Sequence, residues 1–130
     1  MALDEVFEDG IDNAFSRTIP TLLERHGHIV IDALNDLYAG GLMPAHLFSE
    51  ILPWLGRTQT RDRLDHNARF WFLVLSLRDS HSSVRSGAAL GLASLGDYRA
   101  ITHLRTAAAS ETIALLRCRL TQIADELSPW

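Results

Sequence analysis

Apolar residues recur at steps of three and four through most of this 130-residue chain, the spacing of one face of an α-helix. The strict alternation typical of strands is almost absent. The pattern predicts an all-α protein of about six or seven helices. The predicted helical segments, of which the short Thr21–His26 is separated from the next only by Gly27, are Asp4–Arg17, Thr21–His26, His28–Ala39, Pro44–Leu55, Leu64–Leu77, Ser80–Leu95, Tyr98–Ala109 and Glu111–Leu127.

Helix-breaking residues separate these segments. Pro20 follows Thr18 and predicts a restart, because proline is tolerated in a first turn where its missing N–H has no partner to lose. Gly27 should end or bend the next segment, and Gly40-Gly41 should stop the one after it. Pro53 should kink the last turn of its helix.

The apolar stripes also predict which side chains are buried. Phe72 and Leu104 hold matching positions in their helices, so we expect both in the core. The inward face predicted for His28–Ala39 consists of Ile29, Val30, Ala33, Leu34 and Leu37.

Similar residues recur 32 positions apart. Val84-Arg85 matches Leu116-Arg117 at this spacing. Going backwards, Leu104 falls on an aromatic residue and two acids fall on acids, as the pairs Leu104/Phe72, Asp97/Asp65 and Glu111/Asp79. A fixed period of this length is typical of stacked-helix repeats.

The segment Asp79–Leu104 resembles HEAT-like repeats, especially the short type of phycobilisome lyase subunits. The matching residues are Asp79, Val84-Arg85, Ala88-Ala89, Leu92, Leu95-Gly96-Asp97, Ala100-Ile101 and Leu104. The resemblance implies a small α-solenoid of stacked antiparallel helix pairs, without shared catalytic residues. It implies one domain over 1–130, with degenerate repeats in 1–56 and clearer ones in 64–127. In such repeats the Arg after Val packs across to an acid of the neighbouring repeat, so Arg85 and Arg117 should be structural.

Charge divides the chain into two parts. Residues 1–56 carry nine acids and two arginines, a net charge of −7, whereas residues 57–130 carry ten arginines and seven acids, a net of +3. The acidic start lacks the basic and apolar pattern of a leader, and the longest apolar run, Phe70–Leu75, is too short to span a bilayer. We therefore expect a cytoplasmic protein, of bacterial type, that does not bind membranes.

No familiar catalytic or metal-binding motif occurs in the chain. His26-Gly27-His28 is too small a set for zinc, and the single Cys118 provides neither a disulfide nor a multi-cysteine metal site. Ser82-Ser83 are better explained as helix caps. Gly87 and Gly91 should allow close helix packing and do not form a phosphate loop. We predict no enzymatic activity, no catalytic residues, no metal and no cofactor.

Nucleic-acid binding is one alternative function. Its candidate surface is the arginine cluster Arg57, Arg61, Arg63 and Arg69. Phosphate binding needs a coherent basic stripe, and the acidic total charge of −4 disfavours it.

Protein binding is the function that the pattern favours. The repeat spacing aligns residues of successive helices on one face, and Trp and Arg are enriched in binding hot spots. The predicted partner-binding residues are Asp32, Asp36, Asn67, Trp71, Arg99 and His103. Core burial is the competing interpretation of Trp71, because an apolar run surrounds it.

The acidic half suits a dedicated inhibitor of a basic toxin or enzyme, such as a bacterial toxin-immunity protein, which acidic side chains would steer to its target. The alternative is a scaffold or assembly chaperone. The oligomeric state stays open.

Overall fold

The computed structural model describes the backbone of residues 2–129 and the side chains of residues 18–27 and 29–129. This part of the chain is helical and contains no strand, which confirms the predicted all-α class. Its six helices are α1 Ala2–Ala39, α2 Ala45–Arg57, α3 Arg63–Ser76, α4 Ser82–Leu95, α5 Ala100–Ser110 and α6 Ala114–Leu127.

The predicted restart at Thr18–Pro20 is wrong, because α1 continues through Pro20. Ile19 and Leu23 flank the proline and are buried, so packing compensates for the one hydrogen bond that proline cannot make. The bend falls instead at His26, whose φ of −137° and ψ of 36° are not helical. The prediction that the chain bends near Gly27 is therefore confirmed.

The glycine turns lie where the pattern placed them. Gly41 and Gly96 have φ values of 77° and 72°, a backbone conformation that favours glycine. Pro53 is buried inside α2, and the helix continues beyond it to Arg57, past its predicted end at Leu55.

Helices that are two apart in the chain lie next to each other. The helices α2, α4 and α6 pack side by side, and so do α1, α3 and α5. Each odd-numbered helix also packs against the even-numbered helix that follows it. In this arrangement α3 lies between α1 and α5, so its two faces have different neighbours.

The closest helix pair is α2 and α4, and glycine makes the approach possible. A Cβ atom on Gly91 would lie 2.7 Å from the Leu52 carbonyl oxygen, and one on Gly87 would lie 2.5 Å from that of Ser49. A Cβ on Gly56 would collide with the backbone of Gly91. Close packing is therefore the role of Gly87 and Gly91, as the sequence predicted, and Gly56 has the same role.

The buried apolar side chains form one contiguous cluster that runs from Ile19 to Ala124. Leu104 is fully buried as predicted, whereas Phe72 is only partly buried, with its ring edge-on to Phe48. The predicted inward face of 28–39 is partly wrong. Leu34 is buried, but Ile29 is 59% exposed and Ile31 takes the inward position, since the bend at His26 resets the phase of the helix.

A buried arginine joins three elements on the inner side of α3. The Arg69 side chain is fully buried, and its Nε and Nη2 donate to the two carboxylate oxygens of Asp65 at 3.0 and 3.1 Å. The same guanidinium donates to the carbonyl oxygens of Leu23 in α1 and Leu55 in α2, and to both oxygens of Thr58 in the following loop. We call Arg69, Asp65 and Thr58 the inner arginine cluster.

Gly27 allows α1 to reach this cluster, because a Cβ atom there would lie 2.9 Å from Asp65 Cγ. Arg61 also contributes, since its backbone N–H donates to Asp65 and its guanidinium to the Arg25 carbonyl oxygen. The cluster thus fixes the bent α1 against the start of α3. It thereby sets the position of the outer face of α3.

Candidate functional site

The outer face of α3 and the start of α5 carry four of the six predicted binding residues. Arg99 Nη2 donates to Asn67 Oδ1 at 2.9 Å, which joins the two helices. The rings of Trp71 and His103 meet edge to face, with centroids 5.6 Å apart. The structure therefore brings together Asn67, Trp71, Arg99 and His103, as the 32-residue spacing suggested. We call these four residues the outer cluster.

A buried phenylalanine forms the floor of this cluster, and it is not among the binding residues predicted from the sequence. Phe70 is fully buried, and the Arg99 guanidinium lies over its ring at 4.4 Å from the centroid. The rings of Trp71 and His103 make T-shaped contacts with the Phe70 ring, with centroids 4.9 and 6.1 Å from its own. Each of these side chains is held by at least one neighbour, so the outer cluster is preorganised.

Trp71 lies at the surface, half exposed. Its side chain is 49% exposed, which disfavours the core interpretation. Exposed leucines precede and follow it on the same face of α3, Leu64 at 80% and Leu75 at 67%. Exposed apolar side chains that share one face of a helix mark interaction surfaces more often than scattered ones do.

Asp97 holds Arg99 in place. The Arg99 guanidinium contacts both carboxylate oxygens, the shortest contact being 2.7 Å, and His66 Nε2 lies 2.9 Å from Asp97 Oδ2. The hydrogen bonds from Arg99 keep the pKa of Asp97 well below its usual range, and the same bonds raise the pKa of Arg99. The pair is therefore ionised at neutral pH.

Two open cavities lie between α3 and α5. One, of about 660 Å³, lies at the start of α3 and is lined by Arg63, His66, Asn67 and Arg99 among others. The other, of about 680 Å³, lies towards its end and is lined by residues that include Val74, Arg78, His103, Thr106 and Ser110. Both volumes fall within the range of ligand-binding clefts.

Asp32 and Asp36 are exposed on α1, the helix that packs against the other side of α3. Among the described side chains, no hydrogen bond or ion pair joins either of them to the outer cluster. The structure thus separates the predicted site into an acidic part on α1 and an aromatic and arginine part on α3 and α5.

The predicted arginine cluster for nucleic acid does not form one surface. Arg69 is buried, Arg61 donates to a backbone carbonyl, and Arg57 lies over the Trp54 ring at 5.5 Å. Of these four arginines, only Arg63 has a guanidinium without a partner among the described residues. The geometry gives no coherent basic stripe at this place, which such binding needs.

A tyrosine, an aspartate and a histidine meet between α1 and the start of α4. Tyr38 donates to Asp79 Oδ1 at 2.9 Å, and burial together with this bond raises the pKa of Tyr38 to about 12. His81 Nδ1 lies 3.1 Å from the same Asp79 oxygen and 3.3 Å from Ser80 Oγ. A proton relay through histidine needs aspartate at one ring nitrogen and serine at the other. Here both side chains lie against Nδ1 of His81, so the imidazole is not placed to relay a proton between them.

Ser82 and Ser83 do not cap α4. The helix begins at Ser82, its cap residue is His81, and the His81 side chain makes no capping hydrogen bond. The capping prediction is therefore wrong. Asp79 satisfies the His81 N–H instead, at 2.9 Å.

Two further results bear on the predicted chemistry. Within the described residues, no three or more His, Cys, Asp or Glu side chains gather in a way that could hold a metal ion. The His28 side chain lies outside the described residues. In the same part of the chain, no helix combines the length and apolar character needed to cross a lipid bilayer.

A scan against protein-family models and searches of curated proteins and solved structures found no match to this chain.

Proposed function

We propose that this chain is a non-enzymatic protein-binding module, built as a short α-solenoid of HEAT-like repeats. The alternating packing of odd- and even-numbered helices supports the solenoid, because each unit in such a stack contacts mainly its neighbours. Val84 and Leu116, which are 32 positions apart, are both buried at the start of their helices.

The ion pair between Arg85 and Glu111 also supports the HEAT-like proposal. Arg85 donates to both carboxylate oxygens of Glu111, at 2.8 and 3.1 Å, and to the carbonyl oxygen of Asp79. Asp79 and Glu111 are equivalent positions of successive units, so this arginine links one unit to the next. The bonds from Arg85 lower the pKa of Glu111, which keeps the link ionised.

Protein binding rests on one observation, the preorganised outer cluster around Trp71. Trp71 is half exposed, yet its ring makes T-shaped contacts with the rings of Phe70 and His103. Arg99 is fixed beside it by hydrogen bonds to Asp97 and Asn67. Trp and Arg dominate binding hot spots, and side chains that are already ordered lose little entropy when a partner binds. A protein surface therefore fits this site better than a small substrate does.

We further propose that the partner is a single basic protein and that the chain acts as its inhibitor, in the manner of a toxin-immunity protein. The test immobilises the full chain, exposes it to lysate of its native host and identifies bound proteins by mass spectrometry. Capture of one basic protein at about one to one supports this role. Many partners at low occupancy, or none, would contradict it and favour a scaffold.

The exposed acids of α1 give this proposal a kinetic consequence. Asp32 and Asp36 lie four positions apart and are exposed, so we expect them to steer a basic partner. Asp32→Asn/Asp36→Asn should slow association about tenfold at low salt and weaken its salt dependence, with little change in dissociation. Surface plasmon resonance against the captured partner measures both rates. Unchanged association would remove α1 from the interface.

A further inference from the structure

The exposed face of α3 continues well beyond the four residues of the outer cluster. Leu64, Trp71 and Leu75 are exposed, and their spacing places them on one side of α3; Arg78, also exposed, follows two residues after the end of the helix. From Leu64 to Leu75 this strip is about 16 Å long, at 1.5 Å per residue. A strip of this length fits a segment of polypeptide, either a short helix or an extended chain.

Every carboxylate between Arg63 and Glu111 is already engaged. Asp65 pairs with Arg69, Asp97 with Arg99, and Glu111 with Arg85, and their side chains are only 6%, 8% and 3% exposed. The fourth, Asp79, accepts from Tyr38 and from the His81 N–H. Burial alone would raise the pKa of Asp79, but the hydrogen bonds that its carboxylate accepts lower it below the usual value. This stretch therefore offers no free carboxylate to a basic ligand.

Two arginines flank this strip, one near each end, and their side chains have no polar partner. The guanidinium groups of Arg63 and Arg78 make no hydrogen bond or ion pair with any described residue. Each lines one of the two cavities between α3 and α5. Arg78 opens onto the cavity of about 680 Å³, where Val74 and Ala107 supply apolar surface and Thr102 and Thr106 supply hydroxyl groups.

From this arrangement we infer that the α3/α5 groove binds a segment of the partner that is acidic and carries apolar anchors. The apolar side chains pack on Trp71 and Leu75, and a carboxylate accepts hydrogen bonds from the free guanidinium of Arg78. The inference rests on the proposed protein-binding function and adds the chemistry of the bound segment. A partner steered by the acids of α1 would then meet this molecule with both signs of charge.

The test selects a phage-displayed library of random 12-residue peptides against the immobilised full chain. Peptides rich in Asp or Glu together with Leu, Ile, Phe or Trp should be enriched, and Trp71→Ala should abolish their binding. Arg78→Glu should weaken the affinity of these peptides by at least about tenfold, because the attraction between the guanidinium and a peptide carboxylate becomes a repulsion. The matched control is Arg119→Glu, the same charge change on exposed α6, which should shift affinity less than about twofold.

A charge swap sharpens the result. Replacing the critical acid of a selected peptide by arginine should restore binding to the Arg78→Glu variant and to no other. Circular dichroism of each variant shows that it is folded. Enrichment of lysine- and arginine-rich peptides that still need Trp71 would overturn the acidic segment but leave the protein-binding function standing. Failure to enrich any Trp71-dependent peptide would overturn the groove as a segment-binding site, while the capture experiment decides the proposed function separately.

Discussion

Two arginines, Arg69 within α3 and Arg78 just beyond its end, are held in opposite ways. On the inner face Arg69 is fully buried and donates to Asp65, Thr58 and the carbonyl oxygens of two other helices. Arg78, two residues beyond the end of the helix, is exposed, and its guanidinium makes no polar contact with any described residue. An arginine thus stabilises the fold where it is buried and is available for recognition where it is exposed.

Burial explains the difference. A buried guanidinium must satisfy its N–H groups within the protein, because each unmet donor there costs about 1–3 kcal/mol or more. At the surface water satisfies them at no such cost. Substitutions on the inner face should therefore change folding, and those on the outer face should change binding.

The largest expected effect is on the inner face. Arg69→Ala would leave the buried Asp65 carboxylate unpaired and several carbonyl groups without donors, which should cost about 3–5 kcal/mol of unfolding free energy. Arg69→Lys should recover less than half of this loss, because an ammonium group cannot reproduce the fork of donors. Urea unfolding followed by circular dichroism measures both. If Arg69→Ala loses less than about 1 kcal/mol, the inner arginine cluster does not stabilise the fold, and if Arg69→Lys alone does so, the fork of donors is not needed.

Leu104 gives the next effect in size. Its side chain is fully buried in α5, so Leu104→Ala should cost about 2–5 kcal/mol. Arg105, its neighbour, is exposed and pairs with Asp125 at the surface, so Arg105→Ala should change the unfolding free energy by no more than about 0.5 kcal/mol. Thermal and urea unfolding of both variants test this. Equal losses would show that the register of α5 is wrong.

A smaller effect should appear in the pH dependence of stability. The pKa of Asp97 is lowered in the folded state, so its stabilising contribution is complete above its unfolded pKa of about 3.9 and is lost as pH falls below that value. Glu111 and Asp79 act in the same direction. Asp97→Asn should make unfolding free energy less pH-dependent between about pH 5 and pH 2. A variant with the wild-type slope would contradict the pairing of Asp97 with Arg99.

Local signals explain which parts of this fold the sequence could predict. The turns at Gly41 and Gly96 need a positive φ, which glycine adopts readily, so the residue type itself predicts the turn. The continuation of α1 through Pro20 could not be predicted, because it depends on burial of Ile19 and Leu23 by distant segments. The bend at His26 likewise reset the inward face of the following residues.

The same limit holds for the candidate site. The 32-residue spacing matched Trp71 with His103 and Asn67 with Arg99, and the structure places each pair in contact. The inner arginine cluster was missed, because Asp65 and Arg69 at a spacing of four also suit an ordinary surface ion pair. One signal could have predicted that Arg69 is buried, since it directly precedes the apolar run Phe70–Leu75.

Trp71→Ala, measured for both stability and binding, tests the division of roles between the two faces most directly. The substitution removes the ring contacts with Phe70 and His103 and the burial of a side chain that is half exposed, so the unfolding free energy should fall by about 1–2 kcal/mol and the variant should stay folded. Its complex with the captured partner should dissociate at least about tenfold faster than that of the wild type. An unfolded variant would place Trp71 in the core, and a folded variant with an unchanged dissociation rate would contradict the outer face of α3 as the binding surface.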